Sequence, residues 1–580
     1  MDLIVQANAL RMALQFFDGK EKIENIIPYQ PQKKPMPKEG KINLLPRAKP
    51  EELGIKSEYL YPLIYNLSHL PELDLHTLQI LVKGQVIAES YLDGYSNNRW
   101  SITHSMCKSI TVLAILILID QGKLDLKQRL VDLLDDGNVL TPVTHKDLTV
   151  RHLLTMSSGI VFNEIGAITS EDWTKDFMES GFRFEPGQDF HYNSMNSYML
   201  SYLVKKVGGL NLSDFLKTRL FTPLGIEVFD WELSPQGIEK GGWGMYLAPE
   251  DMAKIGMLFC QKGVYQDQVI ISQELMEAAM SGQTEVPHSF GNYDYGYHCW
   301  VSRHDKSVLL NGMFGQNVAV FPESEIVIVA TAGTNAVFQQ GEYFRYIRRY
   351  FEGFKPAEQP LPENPEAHSK LLELKRRPHK LAPQDVMTNF LGAAETEKLN
   401  RQYFDGSIYE FETGEAHNVS FVPMVQQILR NGYSRGLQAL TLMDENTMVF
   451  LQGDELLSVE IGFDQSKLNQ IETKEETYTV GAFAAWSKDV EGNFVLTCRF
   501  SFVETASSRF LTLVFKEEEL ALEFYETPGR EMIYRGLSNL NEELARTKTL
   551  EELLVKIEED VLSRRVDQLF NPKSIGKLRK

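Results

Sequence analysis

The stretch Ser101–Gly122, SITHSMCKSITVLAILILIDQG, sets small polar residues and one lysine ahead of an apolar run from Ile110 to Ile119. A bilayer-spanning helix needs about 20 apolar residues, so this run is too short to cross a membrane. Asp120, Gln121 and Gly122 end it, and Gly122 suits the left-handed position just past a helix terminus. A buried helix remains, with Ser105 and Lys108 at its mouth. Residues three apart on a helix share a face. With a helix beginning near Thr103, Ser105 sits in the first turn and the Lys108 amine reaches its oxygen. A serine hydroxyl needs a neighbouring base to become a nucleophile. A lysine serves as that base when neutral, a state that burial or a nearby cation favours. The helix start also directs backbone N–H groups and the positive dipole end toward the serine, which favours an oxyanion there. The competing reading is a capping serine beside a surface lysine. The adjoining apolar run weighs against it, because a buried ammonium is costly.

The chain has 580 residues, and about 150 residues per domain suggests two to four domains. Its net charge of −20 argues against nucleic acid as a partner and against docking on anionic lipid. The four cysteines, Cys107, Cys260, Cys299 and Cys498, are scattered without a CxxC pair. That pattern fits free thiols in a reducing compartment better than a disulfide framework or a zinc site. The start, MDLIVQANALRMALQFFDGKEK, lacks a basic region followed by a clean apolar core and a cleavage site. The expected location is therefore cytoplasmic.

Outward from the helix, residues 1–46 read as an N-terminal arm, with a short helix and then a Lys/Pro-rich patch. Residues 47–356 alternate strands and helices, the pattern of an α+β domain. Within them, LHTLQILVKGQVIAESYLDG reads as a hairpin turning at Lys83-Gly84. APEDMAKIGMLFCQKG reads as a helix with an acidic first turn and a terminal Gly263. Residues 357–382 are proline-rich and polar, as in a linker. Residues 383–538 contain short alternating runs such as NFVLTCRFSFV, RFLTLVF and LALEFYE, which predict an all-β sandwich or barrel. Residues 539–580 read as a charged helical tail.

These segments, in this order, resemble the serine β-lactamase-like hydrolases: class C β-lactamases, penicillin-binding proteins and their esterase relatives. The resemblance covers roughly Arg47 to Phe354. It rests on LQILVKGQVIAESYLDGY, HSMCKSITVLAILILIDQG, LTVRHLLTMSSGI, FEPGQDFHYNSMNSYML, GGWGMYLAPEDMAKIG and NGMFGQNVAVFP. It implies a β-lactamase/transpeptidase-like domain: an antiparallel sheet flanked by helices, with a helical subdomain, followed here by the β-rich module. It also implies roles. Ser105 attacks a carbonyl and forms an acyl-enzyme, and Lys108 and Tyr192 exchange the proton with the leaving group. The N–H of Ser105 and a backbone N–H after Gly312, that of Met313, hold the oxyanion.

Two departures from the family pattern bear on substrate. Tyr-x-Asn is replaced by Tyr192-Asn193-Ser194, so Ser194, or Asn196 or Asn193 turned inward, would contact substrate. The third motif, Lys-Thr-Gly or His-x-Gly in relatives, reads Asn311-Gly312-Met313. No cation stands where a β-lactam carboxylate would bind. This favours an ester or amide small molecule without a compulsory carboxylate. The rivals are a β-lactamase or D-amino-acid peptidase of the same mechanism, and a catalytically silent binding protein on the same fold. No metal or cofactor is implied, and homo-oligomerisation is left open. His104 and Cys107 read as structural, since no Asp or Glu partner for a Ser-His-Asp triad is identifiable. Gly241-Gly242 reads as a tight turn lining the cleft. Trp173, Tyr295, Tyr297 and Trp300 read equally as pocket wall or core.

Overall fold

The computed structural model describes residue 11 and residues 27–37, 42–70, 72–134, 145–335, 341–381, 390–412, 419–474, 476–529 and 559–579. Apart from residue 11, the helix expected at the start of the chain lies outside the described residues. So do the expected junctions at 382/383 and 538/539.

Nine strands form the first sheet, in the order Arg376–Arg377, Gln85–Leu92, Leu75–Val82, Ile326–Ala332, Gln316–Phe321, Val308–Gly312, Trp300–Ser302, Tyr293–Tyr295 and Thr284–Glu285. Neighbours are antiparallel except Arg376–Arg377, which runs parallel to Gln85–Leu92. The expected hairpin turns at Lys83 and Gly84, whose φ of 47° and 77° are the left-handed pair that a two-residue turn uses. Leu75–Val82 and Ile326–Ala332 are buried along their whole length because both faces of the sheet are covered. Leu78, Ile80 and Val82 pack with helices Ser57–His69 and Glu342–Phe351, while Leu81 joins the opposite core. On that opposite side lies helix Pro249–Cys260. Its Gly256 permits close approach: a Cβ there would sit 2.6 Å from Val327 Cγ1 and 2.7 Å from Val318 Cγ1.

The apolar run folds as expected into a buried helix, Cys107–Asp120, in which every residue from Cys107 to Leu118 is buried. It ends as its glycine suggests: Gly122 has φ 66° and donates to the Ile119 carbonyl at 2.8 Å. Its start differs from expectation. Ser105 sits in a separate 3-10 turn, His104–Met106, and the α-helix begins two residues later, at Cys107. The helical subdomain, including Val150–Leu154, Trp173–Glu179 and Ser194–Gly208, shares a core with this helix.

Among the described residues the C-terminal module is β-rich, with ten strands in one sheet accompanied by helices such as Ala393–Tyr403 and Met424–Arg430. Its end strands, Glu455–Glu460 and Lys467–Glu472, are chain neighbours, and the Asn469 side chain bonds Glu460 backbone atoms at 2.8 and 2.9 Å, so the sheet nearly closes into a barrel. The terminal segment corrects the expected helical tail. Helix Glu559–Phe570 is followed by strand Lys573–Leu578, which pairs with Ile408–Phe411 on one side and Glu519–Thr527 on the other. The expected proline-rich linker is likewise folded. It holds helix Pro365–Glu373, capped by Asn364, and the strand Arg376–Arg377 of the first sheet. No described helix is long and apolar enough to cross a membrane. All four cysteines are free thiols.

Candidate active site

Ser105 is half-buried at the mouth of helix Cys107–Asp120. The turn carrying it is bent by His104, whose φ of 46° is unusual for a residue with a Cβ. Strand Val308–Gly312 runs directly beside this turn. A Cβ on Gly312 would lie 2.2 Å from the Thr103 carbonyl oxygen and 3.2 Å from the Met106 nitrogen. Only glycine therefore lets the strand's end reach the serine turn.

Lys108 Nζ lies 3.0 Å from Ser105 Oγ and donates to the Gly242 carbonyl at 2.7 Å. The lysine is 1% exposed, and among the described residues no carboxylate forms an ion pair with it. Its amine stands 5.0 Å from the centre of the Tyr192 ring. Tyr192 is half-buried and stacks on Trp300 at 6.0 Å with 15° between the planes. Asn193 fixes the backbone that presents it. The Asn193 Oδ1 caps helix Ser194–Gly208 by accepting from Met195 N, and its Nδ2 donates to the Ile160 and Phe162 carbonyls at 3.0 and 2.9 Å. Ser105, Lys108, Tyr192 and Gly312 are thus brought together.

The remaining expected site residues divide. Ser194 is buried against the Gly242 turn, where a Cβ on Gly242 would be 3.1 Å from its own Cβ, and its N–H donates to Glu164 Oε1 at 3.0 Å. Met313 follows Gly312 and packs with Phe314 against Val425, Leu429 and Ala506. Three side chains are not brought to Ser105. Asn196 is buried one helical turn beyond Tyr192, with Nδ2 3.3 Å from Met156 Sδ. Asn311 lies on the opposite face of its strand from Gly312, because strand side chains alternate, and it bonds Asn317 Oδ1 at 2.6 Å. Asn193, capping its helix, also turns away from the cleft. Of the aromatic residues, Trp300 stands at the site beside Tyr192. Trp173 is core, stacked on Trp243, as is Tyr297.

The neighbouring groups agree with a site built on the serine–lysine pair. Burial lowers the His104 imidazole to about 4, so it is neutral near pH 7. Burial raises the Cys107 thiol to about 12, which suits packing better than nucleophilic attack. The Gly241-Gly242 turn does more than line a cleft. The Gly241 carbonyl accepts from Thr111 Oγ1 at 2.7 Å and the Gly242 carbonyl holds Lys108. The role of Glu164 and the packing of the C-terminal module on Phe314 were not anticipated. The latter joins residues far apart in sequence, so no local pattern marks it.

Residues 77–346 match the Beta-lactamase family model. A penicillin-binding protein of Bacillus subtilis (strain 168) is 23% identical over 190 residues, which are 29% of this chain and 41% of that protein. The 6-aminohexanoate-dimer hydrolase of Paenarthrobacter ureafaciens is 22% identical over 280 residues, 43% of this chain and 70% of that enzyme. Among solved structures, the octameric penicillin-binding protein homologue from Pyrococcus abyssi aligns at a TM-score of 0.39 and 17% identity, covering 80% of this chain and 97% of that one.

Proposed function

We propose that this chain, whose residues 77–346 belong to the beta-lactamase family, is a serine hydrolase that cleaves an ester or amide through an acyl-enzyme on Ser105. One observation carries the reading: a buried lysine amine sits 3.0 Å from a half-exposed serine hydroxyl and is held there by a backbone carbonyl. In the proposed reaction the Ser105 oxygen bonds to the substrate carbonyl carbon and its proton passes to Lys108. The carbonyl oxygen becomes an oxyanion facing the N–H groups of Ser105 and Met313, an interaction that strengthens as charge develops. The proton returns through Tyr192 to the departing alcohol or amine as the carbon–heteroatom bond breaks. Water then attacks the acyl-enzyme by the same proton route and frees the acid.

The third-motif segment supports the substrate class. It offers Gly312, Met313 and Phe314, with no lysine or histidine to bind a carboxylate, and the C-terminal module covers Phe314 with Val425 and Ala506. That favours esters and amides lacking a required carboxylate over β-lactams and D-alanyl peptides. The 6-aminohexanoate-dimer hydrolase is similar to this chain over 70% of its own length, which agrees with an amide or ester substrate.

The test uses a fluorophosphonate probe, a panel of p-nitrophenyl esters, a chromogenic cephalosporin and D-aminoacyl amides. The expected result is labelling of the wild type, none of Ser105→Ala, and turnover of esters above cephalosporin. Folded protein that is not labelled would favour a silent binding protein. Cephalosporin turnover above ester turnover would favour the β-lactamase rival.

A further inference from the structure

We propose that the C-terminal barrel completes the active site, with Arg430 as a positioning residue for Lys108. This rests on the serine-hydrolase reading. The chain of contacts begins at the turn that holds the lysine. Gly241 and Gly242 lie in a loop wrapped around Glu232: Lys240 N donates to the Glu232 carbonyl at 3.0 Å and Glu232 N donates to the Gly244 carbonyl at 2.9 Å. The Glu232 side chain fills the inside of this loop. Its carboxylate pairs with Lys240 Nζ at 2.6 Å, and a Cβ on Gly244 would meet Glu232 Oε2 at 2.8 Å. Glu232 is therefore the post about which the loop is shaped, and the loop's Gly242 carbonyl is what Lys108 Nζ touches.

Glu232 is held from the other domain. Arg430, the last residue of helix Met424–Arg430 in the C-terminal module, reaches it at 2.5 Å and also bonds the Tyr246 hydroxyl. Tyr246 itself donates to Glu232 at 3.1 Å. Arg430 is in turn braced by Glu476 at 2.9 Å, and Glu476 and Glu504 share Lys33 at 3.3 and 2.8 Å. These residues are almost wholly buried, so none of the charges is solvated by bulk water. Removing one member of a buried ion network leaves its partners uncompensated. Without Arg430, Glu232 keeps Lys240 as an ion-pair partner and the Tyr246 hydroxyl as a donor but loses its partner from the other domain, and the loop can re-form around a different carboxylate position. A displacement of about 1 Å in a catalytic group can cost about 10²-fold in rate.

The placement distinguishes Arg430 from an ordinary interface residue. Arg499 is also a buried arginine crossing the interface, paired with Asp74 at 2.8 Å, but its contacts do not lead to the Gly242 turn. Arg430→Met and Arg499→Met in the full chain therefore form a matched pair. Active sites are counted by fluorophosphonate burst, so turnover is per competent serine. The proposal expects both variants to lose thermal stability. Arg430→Met is expected to lose at least about tenfold in kcat on a p-nitrophenyl ester with KM within twofold, while Arg499→Met keeps its kcat. Arg430→Lys, which keeps the charge, should recover part of the loss, and it replaces Arg430→Met should the latter fail to fold. A folded Arg430→Met with kcat within twofold of wild type overturns the proposal, as does an equal kcat loss in Arg499→Met. The crystal structure of the Arg430 variant provides a readout independent of turnover. The Gly241-Gly242 turn should shift and Lys108 should lose the Gly242 carbonyl. An unmoved turn overturns the proposal even if no substrate is found, whereas failure of wild-type Ser105 to be acylated overturns only the hydrolase reading.

Discussion

At the scale of single residues, the site rests on a lysine that, among the described residues, the fold holds without a carboxylate partner. Lys108→Met keeps the volume of the side chain and removes the amine to which the proposed mechanism assigns proton transfer. Ester kcat should fall by about 10²–10⁴-fold, the range for loss of a positioned acid–base group. KM should change little, because Lys108 faces the serine rather than a binding pocket. A large rise in KM with kcat intact, measured on the same ester, would make it a binding residue instead. A second residue-level consequence concerns pH. Burial lowers the imidazoles of His104 to about 4 and His298 to about 3, against about 6.5 for an unfolded histidine. The unfolded chain therefore takes up these protons first. The stability gained from the neutral buried form is complete above about 6.5 and is lost as pH falls toward 4 and 3. Neutral His298 satisfies both ring nitrogens, since Nε2–H donates to the Leu153 carbonyl at 3.0 Å and Nδ1 accepts from the Ser197 hydroxyl at 3.3 Å. Its φ of 50° is one that asparagine tolerates. Thermal melts from pH 8 to 4 should show the wild type losing more stability below 6.5 than His298→Asn. Parallel curves for the two proteins would assign the acid sensitivity to other groups.

At the scale of elements, the decisive contact is a helix pressed onto a sheet through one glycine. Gly256→Ala would ordinarily stabilise a helix by about 1 kcal/mol. Here the new methyl meets Val327 Cγ1 at 2.6 Å and Val318 Cγ1 at 2.7 Å, on stiff β-branched side chains held in paired strands. The expected balance is a destabilisation of about 1–3 kcal/mol, measured by urea unfolding, with partial recovery in Gly256→Ala/Val327→Ala. A variant more stable than wild type would mean the helix can lift from the sheet freely. Elements also show where the sequence was readable. The helix Cys107–Asp120 and the hairpin at Lys83-Gly84 were legible because each is specified locally, by an apolar run with a glycine stop and by a two-residue turn. The linker was misread, although Asn364-Pro365 is a helix-start signal, because the surrounding prolines outweighed it. The strand Lys573–Leu578 was not legible at all. KSIGKL alternates weakly, is charged, and becomes a strand only because two barrel strands wait on either side. Asn311 was misassigned for a related reason: adjacency to Gly312 in sequence puts it on the opposite face of a strand.

At the scale of the whole molecule, the C-terminal end of the chain is tied to the catalytic domain through few intermediates. Helix Glu559–Phe570 packs Val566, Leu569 and Phe570 on Met424, with Ile428 beside them. These are residues of the helix whose last member is Arg430. The same helix starts on Glu526, which accepts from Met424 N at 2.8 Å and Val425 N at 3.0 Å, so its position is set by the barrel at one end and by the terminal helix along its side. Its far end reaches Glu232 in the catalytic domain. Phe570→Ala removes a side chain that is 2% exposed and lies against Gly529, where even an added Cβ would be 2.6 Å from the ring. Loss of a buried phenylalanine costs about 3–5 kcal/mol, read as a lowered denaturation midpoint. If the helix transmits position as well as stability, ester kcat per titrated serine should also fall, by less than in Arg430→Met because the guanidinium itself remains. The two substitutions should then be less than additive in log kcat, since both act through one contact chain. Full additivity, or a stability loss with kcat unchanged, would confine the terminal helix to holding the barrel together and leave Arg430 to position the lysine without it.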